Sequence, residues 1–234
     1  MTVAVVVPVH RNATTLEPLV QRLAAALAGR DWRVRLVVDA SPDDSAAVAE
    51  GLAGDRVAVT VLARNVGQHK ALEHGLREED GATAWACLDA DLQDPPEALP
   101  ALLDRLERGD VDVVFAGRRG SYESAPRLLT GRLHRAVLSR LTGLPPDAGA
   151  FLALGPAARS VVLAASAPSL VAAIGAARLP AVSLPVARAE RPDGTSSWTP
   201  GARLRQSART LRWAWRARQA QRSVRADWRS RAPG

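Results

Sequence analysis

The stretch AWACLDADLQDPPEALPALLDRLERGDVDVVFAGRR (84–119) carries a complete strand–helix–strand unit. Ala84–Leu88 is an apolar run, a helix is expected over Pro95–Arg108, and Val111–Ala116 is a second apolar run. The pattern extends upstream, where Val3–Val9, Val34–Asp39 and Val57–Leu62 are further apolar runs. Between them, Thr14–Ala28 has helical spacing at Leu16, Leu19, Leu23 and Leu27, with Thr14 or Thr15 as its cap. Helices also follow Ser41–Pro42 as far as Leu52 and span Gly67–Glu79. Continuous apolar strands joined by amphipathic helices predict an α/β fold, a mostly parallel sheet with helices on both faces. Ligands of such sheets bind beyond the carboxyl ends of the strands. That singles out His10–Asn12, Asp39–Ser41, Arg64–Asn65, Asp89–Asp94 and Gly117–Arg119.

Beyond residue 120 the alternation stops. Ala125–Leu141 reads as a basic amphipathic helix and Gly143–Gly149 as a Pro-rich turn. Two Ala-rich helices (155–165 and 168–177) and a last strand, Ala181–Arg188, follow. A polar stretch, Arg191–Gly201, leads to a helix over 202–226. The predicted division is a body, 1–202, and a basic amphipathic tail, 203–234.

At 234 residues, 47% hydrophobic and 24% charged, the chain has ample means to bury a core, which excludes wholesale disorder. A single cysteine, Cys87, excludes a disulfide framework and any Cys-based zinc cluster. The net charge of +7 is unevenly placed: residues 203–234 hold ten arginines against one acid, Asp227, so the body is close to neutral. Only the tail asks for an anionic partner, and nucleic acid is not expected for the body. The apolar run VAVVVPV (3–9) is far shorter than a membrane span of about 20 residues. A cytoplasmic protein, peripheral on the inner face of the cell membrane, is the expectation.

Asp89, Asp91 and Asp94 fall within LDADLQDPPE (88–97). Alternate aspartates in an extended segment point to the same side. Two hard carboxylates at a strand exit suit Mg²⁺ or Mn²⁺, which completes its shell with substrate phosphates. Asp94 reads as the cap of a first turn at Pro95–Pro96.

This string is similar to the signature of family 2 glycosyltransferases of the dolichol-phosphate mannose synthase type. That group includes bacterial enzymes that load a sugar onto undecaprenyl phosphate. Five further segments match in order: VVVPVHRNATTLEPLV (5–20), VVDASPDDS (37–45), LARNVGQHKALEHGL (62–76), GRRGSYESAPRLLTGRLHRAVLSRLTGLPPDAG (117–149) and VARAERPDGTSSWTPGARLRQSAR (186–209). The resemblance implies a GT-A, Rossmann-like fold. It also implies inverting transfer of a sugar from a nucleotide diphosphosugar to a polyprenyl phosphate, in cell-envelope biosynthesis. By resemblance, substrate would be met by Pro8 and His10 at the first strand exit and by Asp39 at the second. Asn65, Gly67, Gln68 and Lys70 would serve at the third, and Asp89 and Ala90 at the fourth. Arg118, Arg119 and Arg132 would hold phosphates, and Arg191 and Ser196 would belong to a loop closing over the site. Asp89, Asp91 and Gln93 would hold the metal, and Asp91, Asp147 and Arg118 would be catalytic. His69 lines the nucleotide pocket or caps its helix; Cys87 is a small core residue.

The sequence departs from the family pattern. Val38 stands where a second acid accompanies Asp39, and Ala150 and Leu152 replace the aspartate and arginine that commonly follow Asp147–Ala148–Gly149. A phosphate acceptor is already an anion and needs less help from a base than a hydroxyl does. Two other readings stay open: a soluble transferase acting on a hydroxyl, and a degenerate nucleotide-sugar-binding protein. In the tail, Leu204, Ala208, Leu211 and Trp215 form an expected apolar stripe beside stripes of arginine. Arginine with tryptophan suits an anionic membrane interface or a small membrane partner.

Overall fold

In β1 (Thr2–Val9), Val3, Val5, Val7 and Val9 enter one core while Ala4 and Val6 enter another. Every one of these side chains is fully buried, which explains why the run reads as continuously apolar. This computed structural model describes residues 1–119, 139–140, 142–187, 208–210, 212–213 and 215–216, with Arg118 and Arg119 described by backbone alone. After β1 come α1 (Leu16–Ala26), β2 (Asp31–Val38), α2 (Ser45–Gly51), β3 (Val57–Val61), α3 (Gln68–Glu78) and β4 (Ala84–Cys87). A 3-10 turn (Pro96–Ala98) runs into α4 (Leu99–Glu107), followed by β5 (Val113–Arg119) and β6 (Leu152–Leu154). Then come α5 (Pro156–Ala164), α6 (Leu170–Ala177) and β7 (Ala181–Ala187).

The strands form one sheet in the order β3-β2-β1-β4-β6-β5-β7. The pairings β1–β2, β2–β3, β1–β4 and β5–β7 are parallel. β6 is antiparallel to both neighbours, with Leu152 opposite Cys87 of β4 and Phe115 of β5. The sequence gives no sign of β6, because Leu152–Ala153–Leu154 is too short to show a period. Leucines of α1 and α4 fill one face, and α3, α5 and α6 cover the other. Cys87 is buried in that second layer, as expected, and burial pushes its thiol pKa up.

The cap expected of Thr15 is replaced by another arrangement. Thr15 occupies the cap position of α1 but makes no side-chain cap bond. Its hydroxyl instead donates to the Ala90 carbonyl at 2.6 Å, tying the start of α1 to the exit of β4. Asp94 is buried, at 2% exposure, because the prolines turn the chain inward before α4 begins.

The C-terminal end of α3 is clamped. Glu79, at 1% exposure, is paired with Arg33 and, at 2.7 Å, with Arg35. Trp85 Nε1 donates to the Glu79 carbonyl at 2.6 Å, and Arg159 Nε donates to the Leu76 carbonyl at 2.9 Å. Arg159 also lies 4.8 Å over the Trp85 ring. These donors satisfy carbonyls that a helix end leaves without partners, and the cation suits the negative end of the helix dipole.

Arg132, Arg191 and Ser196, the expected helix over 125–141 except its last turn, and most of the tail lie outside the described residues. Within the tail, Thr210 is buried and Trp213 packs against the α3–α5–α6 core. Ala208 and Trp215 face outward, Trp215 at 54% exposure, so the expected stripe through Ala208 and Trp215 is not the inward face. Positions 210 and 213 share a helical face, and the large Trp213 ring gains most by turning to the core. Among the described residues no helix is long and apolar enough to cross a membrane.

Gly75 sits where α3 meets the sheet. A Cβ there would come within 2.4 Å of Val6 Cγ1 and 2.9 Å of Val37 Cγ2. Helix propensity alone would make Gly75→Ala stabilising by about 1 kcal/mol. Overpacking reverses the sign: the substitution is expected to lower unfolding free energy by about 2 kcal/mol in urea melts.

Candidate functional site

The register brings the strand exits side by side. Val9, Val38 and Val61 lie in one row across β1, β2 and β3. Just past these exits the backbone turns through left-handed conformations at Arg11 (φ 61°), Ala40 (φ 45°) and Gly67 (φ 86°), and past β4 at Leu92 (φ 61°). A left-handed backbone is costly for a residue with a side chain and is held only where surrounding bonds determine it.

Those bonds are present. The Asp39 carboxylate, 3% exposed, accepts from the Val66 N–H at 2.7 Å and the Gly67 N–H at 2.8 Å. Its own carbonyl accepts from Asn65 Nδ2 at 3.1 Å and lies 3.2 Å from His10 Nδ1. The Arg11 and Asn12 N–H groups donate to the hydroxyls of Ser41 (2.7 Å) and Ser45 (2.9 Å). Burial alone raises the Asp43 pKa, but donors from Ser41, Ser45 and Ala13 outweigh it and bring it down to about 2. Three exits are thereby fastened into one wall by a buried carboxylate and short hydroxyl side chains.

α3 begins at this wall, and Gln68 Nε2 donates to Asp89 Oδ1 at 2.5 Å. The Gln93 N–H donates to Asp91 Oδ1 at 3.1 Å, closing the turn that carries Leu92. Ala90 is buried, and its carbonyl accepts from the Thr15 hydroxyl. Among the described residues no three His, Cys, Asp or Glu side chains converge to hold a metal. Two neighbouring carboxylates are nonetheless the donor set with which Mg²⁺ or Mn²⁺ binds when phosphates supply the rest. Lys70 turns to Glu73 at 2.6 Å, along α3.

Across β6, the row Cys87–Leu152–Phe115 continues by two residues to Asp89 and Gly117. Cys87 and Phe115 belong to the α3-side core, so alternation puts Asp89 and Gly117 on that same face. Two strand spacings, roughly 10 Å, separate them. Asp147 packs directly on Gly117: a Cβ there would lie 2.2 Å from Asp147 Oδ2 and 2.3 Å from Ser183 Oγ. The backbone of Arg118 and Arg119 continues β5 past this point.

A profile described as glycosyl transferase family 2 matches residues 4–144. The chain belongs to that family. Undecaprenyl-phosphate 4-deoxy-4-formamido-L-arabinose transferase of Sodalis glossinidius (strain morsitans) is 37% identical over 146 residues, covering 60% of this chain and 44% of that protein. The Pseudomonas aeruginosa (strain LESB58) protein of the same name is 38% identical over 147 residues, 61% of this chain and 43% of that one. The family 2 chain thus spans less than half the length of these relatives. Among solved structures, glucosyl-3-phosphoglycerate synthase from Mycobacterium tuberculosis in complex with phosphoglyceric acid superposes with TM-score 0.69 at 18% identity, covering 92% of this chain and 79% of that one. The same enzyme with Mn²⁺, uridine-diphosphate-glucose and phosphoglyceric acid gives 0.68 at 18% identity, covering 93% and 80%. The fold is GT-A, as the family 2 resemblance implies.

Of the expected site residues, His10, Asp39, Asn65 and Gly67 meet in one wall, and Gln68 meets Asp89. Pro8 lies in β1, half-buried below that wall. Thr15, expected only as a helix cap, and Ser45 and Ser183, not singled out from the sequence, also shape the site. Thr15 and Ser183 act through partners distant in sequence, for which a strand or helix pattern carries no signal.

His69 follows Gln68 in α3. The residue is half-buried, yet Nδ1 is sealed from solvent and has no hydrogen-bond partner among the described residues. Burial brings its pKa down from 6.5 to about 4. Above pH 6.5 neither the folded nor the unfolded state protonates it. Between 6.5 and 4 only the unfolded chain takes the proton, so stability falls as pH falls and levels off below 4. From pH 7 to pH 4.5 the native protein should lose about 2–3 kcal/mol more than His69→Gln does, measured by urea melts at both pH values.

Proposed function

We propose that the protein transfers a sugar, with inversion, from a nucleotide diphosphosugar to a polyprenyl phosphate. The observation that carries this reading is the Asp89/Asp91 carboxylate pair, set against the start of α3 and facing Asp147 across β6. Family membership, and the undecaprenyl-phosphate acceptor in the names of relatives 36–38% identical, support it.

In this reading the wall built on Asp39 receives the nucleoside. His10, Asn65 and Gly67 lie at its edge, Lys70 would reach it from the first turn of α3, and Gln68 would orient Asp89 towards the ribose and metal. Mg²⁺ or Mn²⁺ held by Asp89 and Asp91, with Gln93 beside them, would neutralise charge on the departing diphosphate. Arg118, Arg119 and Arg132 bind phosphate through planar forks, and Arg191 and Ser196 close over the donor. A phosphate monoester has a second pKa near 6. Asp147 therefore has one task on the acceptor, to take the remaining proton from the monoanion as its oxygen attacks.

A hydroxyl acceptor is the second reading. Leu152 favours it: where the family commonly has arginine, this side chain is fully buried in β6.

The test is incubation with labelled nucleotide sugars, Mn²⁺ and undecaprenyl phosphate. Label is expected in the organic phase, and Asp91→Asn should cut transfer about 10²-fold or more. Full transfer in chelator would overturn the metal role; label only in an aqueous glycan would overturn the lipid acceptor.

The tail, 203–234, is proposed to dock on an anionic lipid surface at the inner face of the cell membrane. Exposed Trp215 stands among exposed Arg209, Arg212 and Arg216, while Thr210 and Trp213 face the body. Replacing those three arginines by glutamine should weaken binding to phosphatidylglycerol vesicles about tenfold or more in co-sedimentation, with no change on phosphatidylcholine.

A further inference from the structure

We propose that Ser183 is a positioning residue for Asp147, and that Gly117 provides the opening in which the two side chains meet. The inference rests on the sugar-transfer reading above.

Two independent observations carry it. The first is the vacancy at Gly117. The space that a Cβ would fill is bounded by Asp147 Oδ2 at 2.2 Å, Ser183 Oγ at 2.3 Å and Asp147 Cγ at 2.9 Å. Any side chain on residue 117 would push both oxygens away. The second is the state of the hydroxyl. Ser183 Oγ is buried and has no hydrogen-bond partner among the described residues, a costly arrangement for a hydroxyl.

The register explains how they come together. Phe115 of β5 is opposite Ser183 of β7, and Gly117 lies two residues further along the same strand. Val182, Leu184 and Val186 pack on the opposite core, so alternation turns Ser183 to the α3 side with Phe115 and Gly117. Asp147 arrives on that face from the turn before β6. A serine hydroxyl rotates freely, so a small turn of either side chain lets it donate to Asp147 Oδ2. That bond fixes the carboxylate and leaves Oδ1 to face the acceptor.

The step this serves is balanced. The acceptor phosphate oxygen forms a bond to the anomeric carbon, and the bond from that carbon to the diphosphate oxygen breaks. The electron pair leaves with the nucleoside diphosphate, and the proton of the acceptor monoanion passes to Asp147. Ser183 touches neither substrate and acts only through the carboxylate.

The experiment uses the full chain with nucleotide sugar, Mn²⁺ and undecaprenyl phosphate. Ser183→Ala is expected to lower kcat about tenfold, leave the donor KM unchanged and be rescued by Ser183→Thr, which restores a hydroxyl. In an Asp147→Asn background Ser183→Ala should have no further effect, because both act as one unit. Additive losses, or no rescue by threonine, would overturn the inference. A readout independent of turnover is the side-chain carboxyl carbon resonance of Asp147. It should move in Ser183→Ala; an unchanged resonance also overturns the proposal. If the resonance moves while the native protein transfers no sugar, the contact stands and the sugar-transfer reading fails.

Discussion

Gly75 has no side chain, and Val6 and Val37 occupy the place where its Cβ would be. That contact determines how closely α3 lies on the sheet, and much of the site follows from it. A helix seated at this depth brings Gln68 to Asp89 and sets Gly67 beside the Asp39 carboxylate. The opposite end is held by Glu79 with Arg33 and Arg35, and by donors from Trp85 and Arg159. Close packing at Gly75 and charge one turn further on at Glu79 leave little freedom to slide. The polar groups at the N-terminal end are therefore presented in a fixed position, as binding a ligand without reorganisation requires.

The wall around Asp39 shows how an interior can hold a carboxyl group through backbone donors. Backbone N–H groups of Val66 and Gly67 satisfy the carboxylate, and that same bonding determines the path of the loop leading into α3. Left-handed turns at Arg11, Ala40 and Leu92 are maintained nearby. Serine hydroxyls fasten the backbone at Arg11 and Asn12. Local strain is thus concentrated where the strands end, and the valine-rich strands beneath supply the rigidity that sustains it.

The antiparallel β6 divides the site into two sides. By separating β4 from β5 it holds Asp89 and Asp147 apart on one face. It also places Leu152 in the core, away from the surface. The tail meets the body on the same layer of helices, through Trp213. Any surface that Trp215 and its arginines engage is thereby linked to the sheet and its helices by packing as well as by the chain.

Apolar runs and helical spacing in residues 1–119 determined the strands, the helices and the side of the sheet on which to seek function, because burial on both faces leaves a pattern local to each segment. The acids of LDADLQDPPE were legible for the same reason: alternation and position after a strand are local properties. β6, the inward turn of Asp94, the outward turn of Trp215 and the meeting of Gly117, Asp147 and Ser183 were decided only by the tertiary structure. Three residues cannot display a period, and a partner dozens of positions away leaves no trace in spacing. Which acid is buried, which hydroxyl caps and which glycine makes room depend on what the folded chain brings against them, and that is fixed by packing across the sheet rather than along the chain.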